Sequence, residues 1–160
     1  MKYKTGFFAF VNLFSFRWWR CFYKYTRGVI RYTNGKYKES ITDFEWILQN
    51  GAFDPVISLV YENLGINYAR LNDFNKAEEY LEKSSKDKTQ ANNGYLHMWL
   101  GYVYLQKQRH EESLNCFLKA RKLSEQPVDK WLVDHKYIQE RIDSLEDEIK
   151  IKYKEILTNN

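Results

Sequence analysis

The amino-acid sequence predicts an all-α protein, a helical solenoid of about three stacked helix pairs closed by one long C-terminal helix. The stretch at residues 63–84 recurs 36 residues later at residues 99–120, and residues 27–48 fit the same frame. Within each stretch apolar residues recur at spacings of three and four, the period of a helix face. Only two prolines and seven glycines occur in 160 residues, so few positions would interrupt a helix. Helix pairs are expected near residues 17–49, 55–85 and 92–124.

Each copy of the repeat contains two amphipathic stretches joined by a tight turn. In the second copy the first stripe includes Tyr61, Leu64 and Tyr68, and the second includes Ala77 and Leu81. A helix of about fifteen residues, a turn and a second helix make one such unit. One helix pair cannot bury its apolar face alone, whereas stacked pairs bury a continuous core.

Small residues at matching positions predict how each pair packs. A glycine stands midway along every first helix, although glycine costs about 1 kcal/mol of helix propensity relative to alanine. That cost is tolerable where a partner helix must approach closely, and each second helix also carries a small residue. The glycines are Gly28, Gly65 and Gly101, and the small residues opposite them are Ser40, Ala77 and Ser113.

The pattern resembles that of the tetratricopeptide repeat family. The second and third copies match its motif best: Leu-Gly, an aromatic residue three positions on, then a small and a large apolar residue on the second helix. The first copy keeps Gly28 and Phe44 but carries Arg27 and Arg31 where the motif has a leucine and an aromatic residue. The resemblance implies three repeats, which we place at about residues 22–54, 55–91 and 92–127.

Residues 128–160 are predicted to form a separate C-terminal element, a single helix over about residues 128–157 that Asp129 would cap. Apolar residues recur along it every three or four positions, with charged residues between them. An open stack of repeats needs a helix that covers its last apolar face, so a capping helix is the favoured interpretation. A coiled-coil dimer seam is the alternative. The apolar positions are Trp131, Ile138, Ile142, Leu145, Ile149, Tyr153 and Ile156.

The N-terminal segment, residues 1–21, is unusually aromatic. Ten aromatic residues fall between Phe7 and Tyr25, and the apolar run from Gly6 to Phe16 is eleven residues long. Spanning a bilayer takes about 20 apolar residues, so this run is too short for a transmembrane helix. No small-residue cleavage site follows it, and we therefore expect the segment to be retained.

Positive charge is concentrated in the same region. Nine cations precede the first acid, Glu39, although the formal net charge of the whole chain is only +4. Five of these cations fall at alternating spacings of three and four, which places them on one helix face: Arg17, Arg20, Lys24, Arg27 and Arg31.

Three interpretations of this segment are open. In the first, it is an extra helix that closes the first repeat, with buried aromatic rings and solvated arginines. In the second, it rests on an anionic membrane surface, with cations at the head groups and rings at the boundary. Nucleic acid is the least favoured partner, because no RNA-binding signature is present. The residues assigned to the anionic surface are Arg17, Trp18, Trp19, Arg20 and Lys24.

No catalytic or cofactor-binding pattern emerges. The three histidines share no metal-ligand spacing, and no phosphate-binding or nucleophile-elbow motif occurs. Cys21 stands near Arg20 and Lys24, which could lower its pKa, but no partnering base is evident. Two distant cysteines, Cys21 and Cys116, argue against a disulfide framework and favour a reducing compartment. We therefore expect a cytoplasmic protein that is not an enzyme, with no metal and no cofactor.

The resemblance places a partner-binding groove on the first helices of the repeats. Counted from the central glycine of each copy, the groove positions carry mostly aromatic and apolar residues, which suit adaptable protein contacts. The alternative is that the N-terminal segment or the C-terminal helix fills the groove internally. The predicted groove residues are Tyr25, Val29, Tyr32, Glu62, Ile66, Arg70, Tyr95, Met98 and Tyr102.

The resemblance also allows one specific function to be tested. Repeats of this family that bind chaperone C-termini clamp the terminal carboxylates with lysine, asparagine and arginine. The corresponding positions here hold mainly aromatic and apolar residues, and only Asn63 agrees. Chaperone co-adaptor function is therefore not expected. The five positions carry Tyr25, Val29, Asn63, Tyr95 and Trp99.

The favoured function is a non-catalytic scaffold or adaptor that binds a protein or peptide partner through the repeat surface. Its basic, aromatic N-terminus would also allow peripheral association with the inner face of a membrane. The alternative is a small bacterial immunity protein that neutralises a cognate toxin by direct binding, which a helical-repeat scaffold of this size could perform.

Overall fold

The structure is a computed structural model that describes the backbone of residues 4–50, 54–88, 90, 92–124 and 135–158, and the side chains of residues 16–50, 56–88, 90, 92–123, 136–148 and 151. The described residues form seven helices and no strand, which confirms the predicted all-α fold. Three helix pairs and a long final helix follow one another along the chain. They are α1 (Lys4–Thr33), α2 (Tyr37–Gln49), α3 (Asp54–Arg70), α4 (Phe74–Ser85), α5 (Gly94–Gln106), α6 (His110–Ser124) and α7 (His135–Thr158).

The first helix is longer than its partner. α1 has 30 residues and α2 has 13. The Arg17 guanidinium donates to the carbonyl oxygen of Asn50 at 2.7 Å, which places residue 17 of α1 beside the end of α2. Residues 4–16 therefore extend past α2 by about 20 Å, at 1.5 Å per residue. The interpretation that this segment forms an extra helix is wrong, because α1 runs through it without a break.

The glycines are the points where paired helices touch. A Cβ added at Gly65 would lie 2.5 Å from the Leu81 side chain, and one added at Gly28 would lie 2.9 Å from the Phe44 ring. The serines opposite Gly28 and Gly101 also form hydrogen bonds across the helix contact. The Ser40 hydroxyl donates to the Gly28 carbonyl oxygen at 2.8 Å, and Ser113 bonds Gly101 in the same way at 2.7 Å. The glycine pattern is thus confirmed, and two pairs also carry a buried hydrogen bond that the sequence analysis did not foresee.

Hydrogen bonds between neighbouring pairs fix how the repeats stack. The Tyr68 hydroxyl of α3 donates to Glu45 of α2 at 2.9 Å, and the Tyr104 hydroxyl of α5 donates to Glu82 of α4 at 3.0 Å. Glu45 and Glu82 occupy the same position of their copies. The third copy has Leu118 there, and Leu118 packs against the apolar cluster formed with α7. The residue changes from acid to apolar because its neighbour changes from a repeat to the final helix.

The final helix covers the last repeat. Ile138, Ile142 and Leu145 are buried together with Phe117 and Ala120 of α6, which confirms the predicted capping helix. Because this apolar stripe is buried inside the chain, the described side chains of α7 leave no seam for a coiled coil. The predicted start near residue 128 and its Asp129 cap lie outside the described residues. Outward positions of α7 are polar and exposed: Gln139, Glu140, Asp143 and Asp147.

The turn inside each pair repeats one backbone conformation. Gly35, Asn72 and Gln108 stand at matching positions, with φ of 73°, 61° and 59°. Glycine adopts this left-handed conformation freely and asparagine tolerates it, but glutamine is strained there. The turn of the third copy is therefore the least favourable of the three.

Replacing Gln108 with glycine is expected to raise the unfolding free energy by about 0.5–1 kcal/mol, because relief of left-handed strain exceeds the added flexibility of the unfolded chain. Thermal unfolding checks it. The matched control is Gly35→Gln, which should lower the midpoint, since an added Cβ there meets no atom within 4 Å and only the backbone strain changes. A midpoint unchanged in both variants would contradict the assignment.

Candidate functional site

The first helices of the three pairs form one layer, in which α3 contacts both α1 and α5. This layer brings predicted groove residues from all three copies together. Tyr32 of α1 lies close enough to Arg70 of α3 and to Tyr95 of α5 to raise the pKa of both side chains. The Arg70 guanidinium also lies 4.7 Å from the centre of the Trp99 ring. A cation and three aromatic side chains therefore converge where the copies meet.

A cleft on this surface has a volume of about 460 Å³. It contains the predicted residues Arg70, Met98 and Tyr102, and none of its described lining residues carries a carboxylate. Tyr137 enters from α7, and its ring meets Phe117 edge-on at 5.9 Å. Tyr137 was not among the predicted groove residues. The apolar spacing of a capping helix does not show at which angle the helix packs. The described lining residues are Ala69, Arg70, Asn72, Met98, Trp99, Tyr102 and Tyr137.

Electrostatics at this cleft favour a permanent positive charge. Partial burial works to lower the pKa of Arg70, but the hydrogen bond to Tyr32 and the nearby tyrosines outweigh it, and the pKa is raised. Burial, together with the neighbouring Tyr32, raises the pKa of Tyr95, so its hydroxyl stays protonated. The cleft thus offers a cation on an aromatic wall, together with hydroxyl groups that can donate hydrogen bonds.

Two predicted groove residues lie beneath the surface instead. Glu62 is only 6% exposed and Ile66 only 4%. One oxygen of Glu62 accepts a hydrogen bond from the Asn93 amide at 3.2 Å, and Asn93 caps the start of α5. Glu62 therefore ties α3 to the segment that leads into α5. Both residues support the wall of the groove in this structure.

The first copy contributes a second, smaller pocket of about 230 Å³. Tyr25 lies in it, and Val29 is half-buried on the same helix, where it packs against the core. The Asn63 amide donates to the Leu59 carbonyl oxygen at 2.8 Å and lies 3.4 Å from the Tyr25 hydroxyl. Asn63 is thus already bonded within the chain. The pocket is almost entirely apolar, with Trp18, Cys21, Phe22, Tyr25, Ile47, Val56 and Leu59 as its lining.

The two cysteines are not activated. Burial raises the pKa of the Cys21 thiol, although Arg17 and Arg20 act in the opposite direction. Burial also raises the pKa of Cys116, to about 11. The nearby cations therefore act in the expected direction, but burial outweighs them and the Cys21 pKa is not lowered. Across the described ranges, no three His, Cys, Asp or Glu side chains stand together in a way that could hold a metal ion.

The cationic stripe of α1 faces α2. Lys24, Arg27 and Arg31 all bind the Asp43 carboxylate, with distances of 3.0 Å from Lys24, 2.8 Å from Arg27 Nε and 2.5 Å from Arg31. Burial would raise the pKa of Asp43, but hydrogen bonds from Arg27 and Lys24 outweigh it and hold the pKa below its ordinary value. These side chains form what we call the Asp43 cluster. Three of the five predicted surface cations are therefore ion-paired within the chain.

The Asp43 cluster explains why the first copy departs from the motif. Arg27 and Arg31 stand at the positions of Leu64 and Tyr68 in the second copy, and Asp43 stands at the position of Tyr80. In the second copy these positions form an aromatic stack, with Tyr68 and Tyr80 ring centres 5.6 Å apart. An ion cluster thus replaces an aromatic stack at the same place in the repeat.

The remaining two cations meet no carboxylate among the described residues. Arg17 donates to the Asn50 carbonyl oxygen, and the Arg20 guanidinium lies 5.0 Å from the centre of the Trp46 ring. The aromatic residues beside them are exposed, Trp18 by 43% and Trp19 by 61%. Trp18 and Trp19 are therefore not buried as the first interpretation expects, whereas the aromatic side chains before Phe16 lie outside the described residues. As far as the described residues go, no helix combines the length and apolarity needed to cross a bilayer.

Comparison with known proteins identifies the repeat. The tetratricopeptide repeat family model matches residues 59–86 and 95–127, which contain the second and third helix pairs. The chain therefore carries tetratricopeptide repeats, as its sequence predicted. No curated protein sequence matches the chain significantly.

Solved structures share the fold at low sequence identity. PcrH from Pseudomonas aeruginosa has a TM-score of 0.67 and 16% identity, with 79% of this chain and 91% of PcrH covered. The translocator chaperone SycD of Yersinia enterocolitica has a TM-score of 0.67 and 16% identity, with 79% and 83% covered. The TPR2B domain of yeast Sti1, in complex with pHsp70, has a TM-score of 0.67 and 12% identity, with 81% and 98% covered. Each comparison supports the same arrangement of helix pairs.

Proposed function

We propose that this chain is a non-catalytic scaffold that binds a protein or peptide segment along the first-helix layer. The observation that carries the proposal is the cleft of about 460 Å³ in which Arg70, the aromatic side chains of α5 and Tyr137 converge. Two proteins of the same fold offer support, since PcrH was solved with the chaperone binding region of PopD and SycD with a peptide of YopD.

The chemistry of the cleft suggests what the segment carries. Arg70 can pair with a carboxylate, and the half-buried side chains of Met98 and Tyr102 can receive an apolar or aromatic side chain. A segment in extended conformation that presents one acidic and one large apolar side chain would engage both. The described lining supplies a cation and no carboxylate, so it favours an acidic segment over a basic one.

The experiment is a pull-down from the native host with identification of bound proteins by mass spectrometry. Replacing Met98 and Tyr102 together with alanine is expected to weaken the affinity for the identified partner at least tenfold, because both side chains line the cleft. Arg70→Gln should weaken it too, without removing packing volume from the core. The matched control is Ile151→Ala, an exposed apolar side chain on α7.

Melting curves of all variants accompany the affinity measurement. Wild-type affinity in the double variant would place the binding site outside this cleft. Affinity that falls in Ile151→Ala as strongly as in the double variant would also reject the cleft as the site.

The immunity-protein hypothesis would use the same surface with a toxin as its partner. It stays a hypothesis, and the identity of the captured partner distinguishes it from a general adaptor. A cytoplasmic location fits both cases, because the two cysteines are unpaired and their thiols are held protonated.

We also propose peripheral association of the N-terminal part of α1 with an anionic membrane surface. Exposed Trp18 and Trp19, beside Arg17 and Arg20 that meet no described carboxylate, support it. Tryptophan rings favour the boundary between head groups and acyl chains, and arginines favour anionic head groups. The test is co-sedimentation with anionic vesicles at low salt, with neutral vesicles as the control. Equal binding to both, or to neither, would contradict the proposal.

A further inference from the structure

One face of α1 is apolar and uncovered. Phe16, Trp19, Tyr23 and Ile30 follow one another at spacings of three, four and seven residues, which places them in one row along the helix. They are 61%, 61%, 59% and 53% exposed. We call this row the outer ridge. It faces away from α2, and no helix of the described chain packs against it.

The cations nearest to the outer ridge differ in how far they are neutralised. Lys24, Arg27 and Arg31 share the Asp43 carboxylate, whereas Arg17 and Arg20 bind a carbonyl oxygen and an aromatic ring, which carry no charge. Three cations on one carboxylate still leave a positive excess. The whole seam between α1 and α2 is therefore cationic, and its uncompensated part lies at the Arg17 end.

We propose that the outer ridge, with Arg17 and Arg20 at its edge, is the surface that rests on anionic lipid, and that the Asp43 cluster does not contact lipid. This inference rests on the proposed membrane association and moves it from the whole cationic stripe to the outer ridge and the two arginines at the Arg17 end. The ridge supplies exposed rings and an aliphatic side chain that can enter the interfacial region. The two arginines supply the charge that anionic head groups attract.

Charge decides between a lipid surface and a second copy of the chain as the occupant. A symmetric dimer through the outer ridge would place two α1 helices, each with an excess of positive charge, against each other, and like charges at close distance disfavour such pairing. An anionic lipid surface neutralises the same charges. The observed excess of positive charge therefore favours lipid.

The arrangement leaves the partner cleft accessible. Trp19, Tyr23 and Ile30 lie on one face of α1, and the groove residues Tyr25, Val29 and Tyr32 lie on another. If the outer ridge rests on lipid, the groove residues of the first-helix layer do not touch the membrane surface. Lipid and a protein partner could then be bound at the same time.

The experiment compares variants of the full chain in vesicle co-sedimentation, with vesicles that contain phosphatidylserine. The ridge variant, Trp19→Ser with Ile30→Ser, is expected to bind at least tenfold more weakly than wild type. Its matched control is Ile151→Ser, which removes an equally exposed apolar side chain from α7 and should bind like wild type. Arg17→Gln with Arg20→Gln should weaken binding at low salt by at least tenfold, since one cation near such a surface contributes about fivefold. Its control is Lys119→Gln with Lys122→Gln on α6.

The possible outcomes distinguish a failure of the ridge assignment from a failure of the proposed membrane association. If wild type binds no anionic vesicle, membrane association fails and the ridge assignment fails with it. If wild type binds and the ridge variant binds equally well, association stands and the ridge assignment is overturned. If wild type is a dimer by light scattering and the ridge variant is a monomer, the ridge is an interface between copies and the lipid assignment is overturned. Added salt should weaken wild-type binding more than binding of the Arg17→Gln, Arg20→Gln variant, because salt screens these charges.

Discussion

The Gly65→Leu variant is expected to lose at least about 2 kcal/mol of unfolding free energy, because the added side chain has no space between α3 and α4. A single Cβ at this position would already lie 2.5 Å from Leu81 Cγ and 3.0 Å from the Leu81 backbone nitrogen. A flexible side chain can move aside, but a backbone atom moves only if the whole helix moves. Chemical denaturation, monitored by circular dichroism, measures the loss.

The three repeat glycines provide an internal comparison for this prediction. At Gly101 an added Cβ would meet the Phe117 ring at 3.0 Å, with no backbone atom among its three nearest neighbours. Gly101→Ala should therefore cost less than Gly65→Ala, since both gain about 1 kcal/mol of helix propensity but only one presses on a backbone. An equal midpoint for Gly65→Leu and wild type would mean that α3 and α4 do not meet at this glycine.

The helices and their pairing could be predicted because they depend on local patterns. Spacings of three and four identify a helix, and the recurrence of Gly65 and Gly101 in the same frame identifies the contact between paired helices. Glu45 and Glu82 also recur in that frame. Their bonds to Tyr68 and Tyr104 could have been found by aligning the copies and asking which polar residues repeat.

The role of the cationic stripe could not be predicted in the same way. Helical periodicity shows that Arg17, Arg20 and Lys24 share a face, but not whether that face meets solvent, lipid or another helix. The deciding residue, Asp43, is 12 to 19 residues away from the cations it binds. One signal was present: the first copy has cations at apolar motif positions and an acid at an aromatic one, which points to a pair within the repeat.

The cleft beside Arg70 was predictable in part. Arg70, Met98 and Tyr102 follow from the positions of the repeat, because the first helices keep the same orientation in each copy. Tyr137 and Trp99 do not follow from those positions. Tyr137 comes from a helix outside the repeats. Trp99 lines the cleft beside Arg70, and the Arg70 guanidinium packs over the Trp99 ring. The repeat positions therefore predict part of the lining, whereas the remaining lining residues depend on contacts between helices.

Asp43→Asn is expected to destabilise the protein by about 2–3 kcal/mol, because it leaves Lys24, Arg27 and Arg31 close together without a counter-charge. The Asp43 side chain is fully covered, and the three cationic side chains are only 21–32% exposed. The substitution keeps the size of the side chain, so lost packing contributes little. The matched control is Glu79→Gln, which removes the carboxylate of a solvent-exposed pair with Lys83 and should leave the midpoint unchanged.

Two further measurements identify the charge as the cause. The pKa of Asp43 is lowered in the folded state, so its contribution to stability is fully present above the unfolded pKa of about 4 and is lost as pH falls through the folded pKa. The wild type should therefore lose stability below about pH 4 more steeply than Asp43→Asn does. Salt should stabilise Asp43→Asn more than wild type, because it screens repulsion among the three cations. Removing one of those cations, in Asp43→Asn with Arg27→Gln, should recover part of the loss. If Asp43→Asn melts like wild type at neutral pH and low salt, the three cations do not need the Asp43 carboxylate. The cluster then contributes nothing measurable to the free energy of unfolding.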